Sequence, residues 1–255
     1  MILGVIPARF ASTRLMGKPL ADIGGKPMIQ HTYESALKSK LLNEVIVAVD
    51  DQRLFDVVKG FGGKVRLTPA DIKTGSDRIA YVAEKMPQAQ IIVNIQGDEP
   101  FIPGKMIDEA IEPLLFDKSV NVSTLAKRIT SVDELKSASI PKVVFDYNNF
   151  ALYFSRSPIP FVRDARTNLE KITSTEIYKH IGLYVYRRDA LMRFTSLKPT
   201  DLEQIEKLEQ LRMLENGFKI KIVTTEFESL SVDTPHDLEV ARSYYEKIIK
   251  KGKKS

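Results

Sequence analysis

The 255-residue sequence has no cysteine, no tryptophan and only three histidines. Without cysteine there is no disulfide and no thiolate metal site. His31, His180 and His236 lie far apart and lack metal-ligand spacing, which argues against a histidine-based metal centre. No apolar run reaches the roughly 18 residues that a membrane-spanning helix needs. There is no Gly-x-Ser-x-Gly nucleophile elbow, no internal repeat, and no low-complexity segment before the C-terminal tail. The opening run, Met1 to Arg9, lacks a basic leader and reads as a first β-strand rather than a signal peptide. Absence of cysteine fits a cytoplasmic chain. What remains is an ordinary globular composition, 43% hydrophobic and 28% charged, long enough for one large α/β domain or two small ones. The net charge of +5 is concentrated in a basic tail, residues 247–255, which reads as a frayed, solvated end. No aromatic residues interleave with its lysines, as single-stranded nucleic acid would require, so neither a nucleic-acid nor a membrane partner is expected.

The first half alternates strand-like and helix-like segments. Ile2–Ile6, Glu44–Val49 and Gln90–Ile95 are continuous apolar strands, and Gly63–Leu67 is a short one. Between and after them lie helical patterns at Pro27–Lys38, Gln52–Phe61, Ser76–Lys85 and Lys105–Leu115. This alternation predicts a mostly parallel sheet covered by helices on both faces. The second half differs. Val143–Phe145 and Ala151–Phe154 flank the turn signal Asp146–Asn149 and must run antiparallel. His180–Tyr186 and Phe218–Thr224 read as strands, and Asp201–Leu214 as one amphipathic helix stopped by Asn216-Gly217. Thr234-Pro235-His236-Asp237 marks a helix start, with Thr as N-cap and Pro at the first helical position. Val162–Glu176 is polar and aperiodic, the pattern of a mobile loop over a site.

Two segments carry chemistry. The loop Pro7 to Pro19, directly after the first strand, holds Arg9, Arg14 and Lys18 and no acidic residue. Ligands of open parallel sheets bind at the carboxyl ends of strands, so three cations there suit a polyanion. Small residues, Ala8 among them, let the backbone offer its own N–H groups. It is not a Walker loop, because Ser12 stands where that pattern needs glycine and Pro19 where it needs Ser or Thr. The competing reading is a surface loop that is merely basic. Gln96-Gly-Asp-Glu-Pro100 ends another buried strand. Magnesium takes one or two carboxylates plus substrate phosphates, and adjacent extended residues point to opposite sides. Asp98 therefore needs a remote partner, best supplied by Asp233. Taken singly, a plain turn at 98–99 and an ordinary helix start at 233 account for these residues as well.

At these positions the sequence resembles the 3-deoxy-manno-octulosonate (KDO) cytidylyltransferase family, also called CMP-KDO synthetases. The resemblance runs through Ile6–Leu20, Gly24–Met28, Thr74–Arg78, Val93–Pro100, Ala151–Pro160, His180–Tyr184, Leu202–Arg212 and Val232–Pro235. A Pro-Ala-Arg loop is shared with many sugar nucleotidyltransferases. The run ALYFSRSPIP together with LEQIEKLEQLR is far more specific.

The resemblance implies a Rossmann-like fold of the nucleotide-diphospho-sugar transferase type. It implies a single nucleotidyltransferase domain over 1–246, with an acceptor-sugar and dimerisation section at about 120–190. The activity implied is CTP plus KDO giving CMP-KDO and pyrophosphate, for lipopolysaccharide biosynthesis, by a homodimer. On these positions, Ala8, Arg9, Arg14, Lys18, Ser76, Arg78 and Gln96 correspond to nucleotide-binding residues. Asp98 and Asp233 correspond to magnesium ligands and, with Lys18, to catalytic residues. Arg156, Arg163, His180, Tyr184, Glu209 and Gln210 correspond to acceptor-sugar residues, with Arg156 and His180 suited to the sugar carboxylate. The alternatives are a cytidylyltransferase for another acidic sugar such as sialic acid, and a non-catalytic nucleotide- or RNA-binding protein.

Overall fold

The computed structural model describes residues 1–11 and 17–252, with side chains to 248. Its elements are, in chain order, β1 (Ile2–Ala8), β2 (Asp22–Ile23), β3 (Lys26–Pro27), α1 (Met28–Ala36), β4 (Glu44–Val49), α2 (Gln52–Gly60), β5 (Val65–Leu67), α3 (Gly75–Glu84), β6 (Ile91–Asn94), α4 (Gly104–Phe116), β7 (Val122–Arg128), α5 (Val132–Lys136), β8 (Lys142–Phe145), β9 (Ala151–Ser155), α6 (Asn168–Ser174), β10 (Tyr178–Arg187), α7 (Arg188–Ser196), α8 (Asp201–Glu206), α9 (Gln210–Glu215), β11 (Ile220–Thr224) and α10 (Pro235–Gly252). The fold is α/β, with a mostly parallel sheet and flanking helices. Among the described residues no helix is long and apolar enough to cross a membrane.

The chain folds as two compact units, one formed by Met1–Asp108 with the chain from Glu228 onward, the other by Glu109–Phe227. The section at about 120–190 lies wholly within the second unit. In the first unit the strand order is β6-β1-β4-β5, all parallel. Val5 at its centre pairs with Ile46 on one side and Asn94 on the other. The uninterrupted apolar character of β1 and β4 follows from this position, because a central parallel strand is buried on both faces. The C-terminal helix belongs here too: Leu238 and Ala241 of α10 pack with Ile23, Met28 and Val232.

In the second unit β7 lies between β11, parallel to it, and β10, antiparallel to it. Strand β10 also pairs with β8, and β8 with β9, both antiparallel. The turn at Asp146–Asn149 forms as expected, with the Asp146 carboxylate accepting the Asn148 and Phe150 amides at 2.9 and 2.8 Å. Two expectations are corrected. Residues 162–176 are not a mere loop: they contain α6, closed by a Thr167–Glu170 capping box and anchored by buried Ile172 against Ile129, Leu135 and Ile177. The single helix over 201–214 is two helices, because Lys207 turns left-handed at φ 54° and ends α8.

Candidate active site

The first unit brings together residues far apart in sequence. After β1 the chain passes Arg9 and returns at Gly17, whose φ of 66° is a left-handed conformation that glycine adopts without strain. That turn starts a short 3₁₀ segment, Lys18–Leu20, and projects the Lys18 side chain. The segment after β6 lies so close to β1 that a Cβ on Gly97 would sit 2.8 Å from the Pro7 carbonyl. Helix α1 holds this segment, the Thr32 hydroxyl donating to the Gly97 carbonyl at 3.1 Å and the Ser35 hydroxyl to that of Pro100 at 3.0 Å. The Val232 amide donates to the Asp98 carbonyl at 2.9 Å, which ties the approach to α10 to the same place. Asp237 then fixes the start of α10 by accepting the Asp233 and Thr234 amides at 3.0 and 2.8 Å.

The result is one ammonium between two carboxylates. Lys18 Nζ donates to Asp98 Oδ2 at 2.7 Å and to Asp233 Oδ1 at 2.9 Å. Burial works to lower the Lys18 pKa, but the charges and hydrogen bonds of Asp98 and Asp233 outweigh it and hold the pKa above its ordinary value. Lys18 is therefore a fixed positive charge. The chain turns at Gly97-Asp98, the Glu99 amide donating to the Gln96 carbonyl at 3.2 Å, and Glu99 is buried; burial, and then the Asp98 charge, push its pKa up to about 7. Pro7, Ala8, Arg9, Lys18, Gln96, Asp98 and Asp233 all line one cavity of about 360 Å³.

Of the other expected nucleotide residues, Ser76 and Arg78 sit in the first turn of α3, both buried. The Arg78 guanidinium is engaged by the Thr68 hydroxyl, by Asp50 Oδ2 at 3.3 Å and by the Ile72 carbonyl at 3.3 Å. Asp50 Oδ1 in turn accepts the Phe10 amide at 3.0 Å, and Arg9 donates to the Ile72 carbonyl at 2.8 Å. Arg78 thus braces the base of the basic loop from behind. Arg14 lies outside the described residues.

The second unit holds the expected acceptor residues. The pairing of β10 with β7 slips between Ile181 and Tyr184, and Thr124 of β7 fills the gap, its hydroxyl donating to the Leu183 carbonyl at 2.8 Å. With that hydrogen committed, Thr124 Oγ1 accepts from His180 Nε2 at 2.9 Å, which leaves His180 Nδ1 as an acceptor. Phe154 and Tyr184 pack on the His180 ring at centroid distances of 5.1 and 5.3 Å. Burial there pushes the His180 pKa down to about 3, so the ring is neutral. An uncharged ring held this way can meet a ligand through hydrogen bonding but brings no charge of its own. Burial, followed by the neighbouring Tyr186 and Glu209, raises the Tyr184 pKa well above the ordinary phenol value.

Glu209 caps α9 and Gln210 begins it. Gln210 is buried, and its Nε2 has no hydrogen-bond partner among the described residues. A buried amide left unpaired is a donor awaiting a ligand. Arg163 is exposed on the segment between β9 and α6. Arg156, expected to meet the sugar carboxylate, instead donates to the carbonyls of Glu206 at 2.6 Å, Ala138 at 2.8 Å and Lys207 at 3.2 Å. Sequence reasoning missed Thr124 and Glu206, which carried no local signal; Asp237 was read as the first-turn acid of a helix start, and so it is.

Basic and carboxylate groups converging at the ends of parallel strands define a phosphate-handling enzyme, and the comparisons agree. A family model described as cytidylyltransferase matches residues 3–222. The chain belongs to the cytidylyltransferases and is a nucleotidyltransferase. A 3-deoxy-manno-octulosonate cytidylyltransferase of Geobacter sulfurreducens is 54% identical over 93% of this chain and 96% of its own length. One from Solibacter usitatus is 49% identical over 98% and 97%. A CMP:2-keto-3-deoxy-manno-octonic acid synthetase solved in complex with CTP aligns with a TM-score of 0.89 and 42% identity, over 96% of this chain and 98% of that one. Within the class, then, this chain is a member of the 3-deoxy-manno-octulosonate cytidylyltransferase family.

Proposed function

We propose that the protein transfers the cytidylyl group of CTP to KDO, releasing pyrophosphate and supplying CMP-KDO for lipopolysaccharide biosynthesis. The observation that carries this reading is the Lys18 ammonium held 2.7 Å from Asp98 and 2.9 Å from Asp233 in a cavity at the ends of β1 and β6. The near-full-length relatives support the choice of CTP and KDO.

The same residues suit magnesium. Two carboxylates facing one ammonium leave a net negative charge for a divalent cation. Among the described residues no third acidic or histidine group joins them, so phosphate oxygens and water would complete the shell, as this ion prefers. Asp98 and Asp233 would hold it; when bound, it would stabilise charge on the α-phosphate and lower the pKa of the attacking hydroxyl. Arg9, Arg14 and Lys18 would neutralise the leaving pyrophosphate, while the anomeric hydroxyl of KDO attacks the α-phosphorus in line. No protein nucleophile is needed; the chain acts by positioning and charge. Gln96 would contact the nucleotide. Tyr184, Glu209, Gln210 and His180 would bind the sugar hydroxyls, leaving its carboxylate to Arg163. A cytoplasmic homodimer belongs to the same reading; exposed Leu152 on β9 and Ile205 on α8 are side chains that a subunit contact would cover.

Pyrophosphate release from CTP, KDO and magnesium tests the proposal. Turnover is expected with KDO and not with sialic acid in its place; no release with KDO under any condition overturns it.

A further inference from the structure

Residues 155–156 and 206–207 are joined by a network that the reaction itself does not explain. The Glu206 carboxylate accepts from the Ser155 hydroxyl at 2.7 Å through Oε1 and from the Arg156 amide at 2.9 Å through Oε2. Arg156 answers with its guanidinium, which donates to the Glu206 and Lys207 carbonyls at 2.6 and 3.2 Å. The third arm reaches the Ala138 carbonyl at 2.8 Å. Behind it, Lys142 is fully buried and donates to the carbonyls of Ser137, Ile140 and Arg156 at 2.7, 2.8 and 3.3 Å.

The place being held is the left-handed residue Lys207, where α8 breaks and the chain redirects into α9. A lysine is not a residue that favours this conformation, and the neighbouring sequence has neither glycine nor proline to impose it. Something outside the turn must therefore over-determine it. Two connections do so: the Arg156–Glu206 pair, and the buried Arg212–Glu203 pair, with Nε–Oε2 at 2.7 Å and Nη2–Oε1 at 2.5 Å. The residues immediately after the turn are Glu209 and Gln210.

We infer that Glu206 and Arg156 form a brace that fixes Glu209 and Gln210 for the acceptor sugar, which makes both of them positioning residues. The inference rests on the reading of Glu209 and Gln210 as acceptor-binding groups. It explains why an arginine in the most family-specific motif faces backbone carbonyls: its product is the geometry of a turn. The unpaired Nε2 of Gln210 shows what that geometry presents, a buried donor whose direction is set by where α9 begins.

Steady-state pyrophosphate release tests the brace in the full chain, with CTP and KDO varied separately for the wild type, Glu206→Ala, Glu206→Gln and Ser155→Ala. Glu206→Ala is expected to raise KM for KDO about tenfold or more while KM for CTP stays within about twofold. Glu206→Gln is expected to restore KM for KDO to within about threefold, since its amide oxygen can accept the Arg156 N–H and its NH2 can donate to the Ser155 hydroxyl. An unchanged KM for KDO in folded Glu206→Ala, or an equal rise for both substrates, overturns the brace. Should Glu206→Ala fail to fold, Ser155→Ala decides: removing one donor is expected to raise KM for KDO alone by about two- to fivefold, and no rise overturns the inference. A wild-type chain that turns over CTP with another acid but not with KDO overturns the choice of acceptor, a result separate from any change among the variants.

Discussion

The two sets of polar residues follow opposite electrostatic plans. Around Lys18 an ammonium is held between two carboxylates by salt bridges. Around His180 the groups are neutral and enclosed, the imidazole held uncharged and the Tyr184 phenol protonated. A site that handles a triphosphate gains most from fixed charge, because the reaction itself redistributes charge there. A site that must recognise a pattern of hydroxyls gains more from buried donors and acceptors. There the wrong ligand leaves a polar group unpaired, a discrimination that charge alone does not provide.

The largest expected effect comes from removing charge in the first set. Asp98→Asn should lower kcat by about 10²- to 10³-fold while CTP affinity falls far less, read as pyrophosphate release beside CTP calorimetry. Near-normal turnover would break the contrast, since it would mean the charges are structural. Lys18→Met should lower kcat by about 10²-fold. It should also lower Tm in chelator, because two carboxylates then face each other unpaired, and magnesium should restore more Tm than it does in the wild type.

The neutral set makes the opposite demand, visible in stability against pH. The His180 pKa is depressed to about 3 in the folded chain, against an ordinary value near 6.5. Above pH 6.5 neither state carries the proton and the ring costs nothing. As pH falls from 6.5 toward 3 the unfolded chain is protonated and the folded one is not, so stability drops, by up to about 3 kcal/mol for a largely enclosed ring. Denaturant titrations should show this slope in the wild type and its loss in His180→Gln; an unchanged slope would mean the ring is not held neutral. The smallest effect is expected for Thr124→Val, which deprives His180 Nε2 of its acceptor. It should cost about 1–2 kcal/mol and raise KM for KDO without altering that for CTP.

How legible each set was follows the same division. Charged residues after apolar strands stand out, so Arg9, Lys18 and Asp98 were candidates by position, although a basic surface loop and a plain turn accounted for them as well; the pairing with Asp233 is visible only in the fold. The three continuous strands of the first unit, and the short one at Gly63–Leu67, were equally plain. Strand β7 was not anticipated, since Ser123 and Thr124 interrupt its apolar run; both are buried, Ser123 donating to the Ala110 carbonyl and Thr124 spanning the slip in β10. The break at Lys207 left no mark, because tertiary hydrogen bonds make it rather than a local turn residue. The partners of Arg78 were hidden for a related reason: the type of a residue shows what it can donate to, but only packing shows that Thr68, Asp50 and Ile72 engage its two terminal nitrogens.

The carboxylate pair also has a bearing on time. Asp98 lies 80 positions beyond Lys18 along the chain, and Asp233 lies 215 beyond it. During synthesis the strands β1, β4 and β6 emerge early and can assemble in order. Lys18 and Asp98 then meet on a partly made protein that still lacks its second carboxylate. Only when α10 packs its Leu238 and Ala241 against Ile23 and Met28 does Asp233 arrive. A chain grown only just past β6 can therefore bring an ammonium and one carboxylate together without the other, and the set is completed only when the approach to α10 joins the first unit.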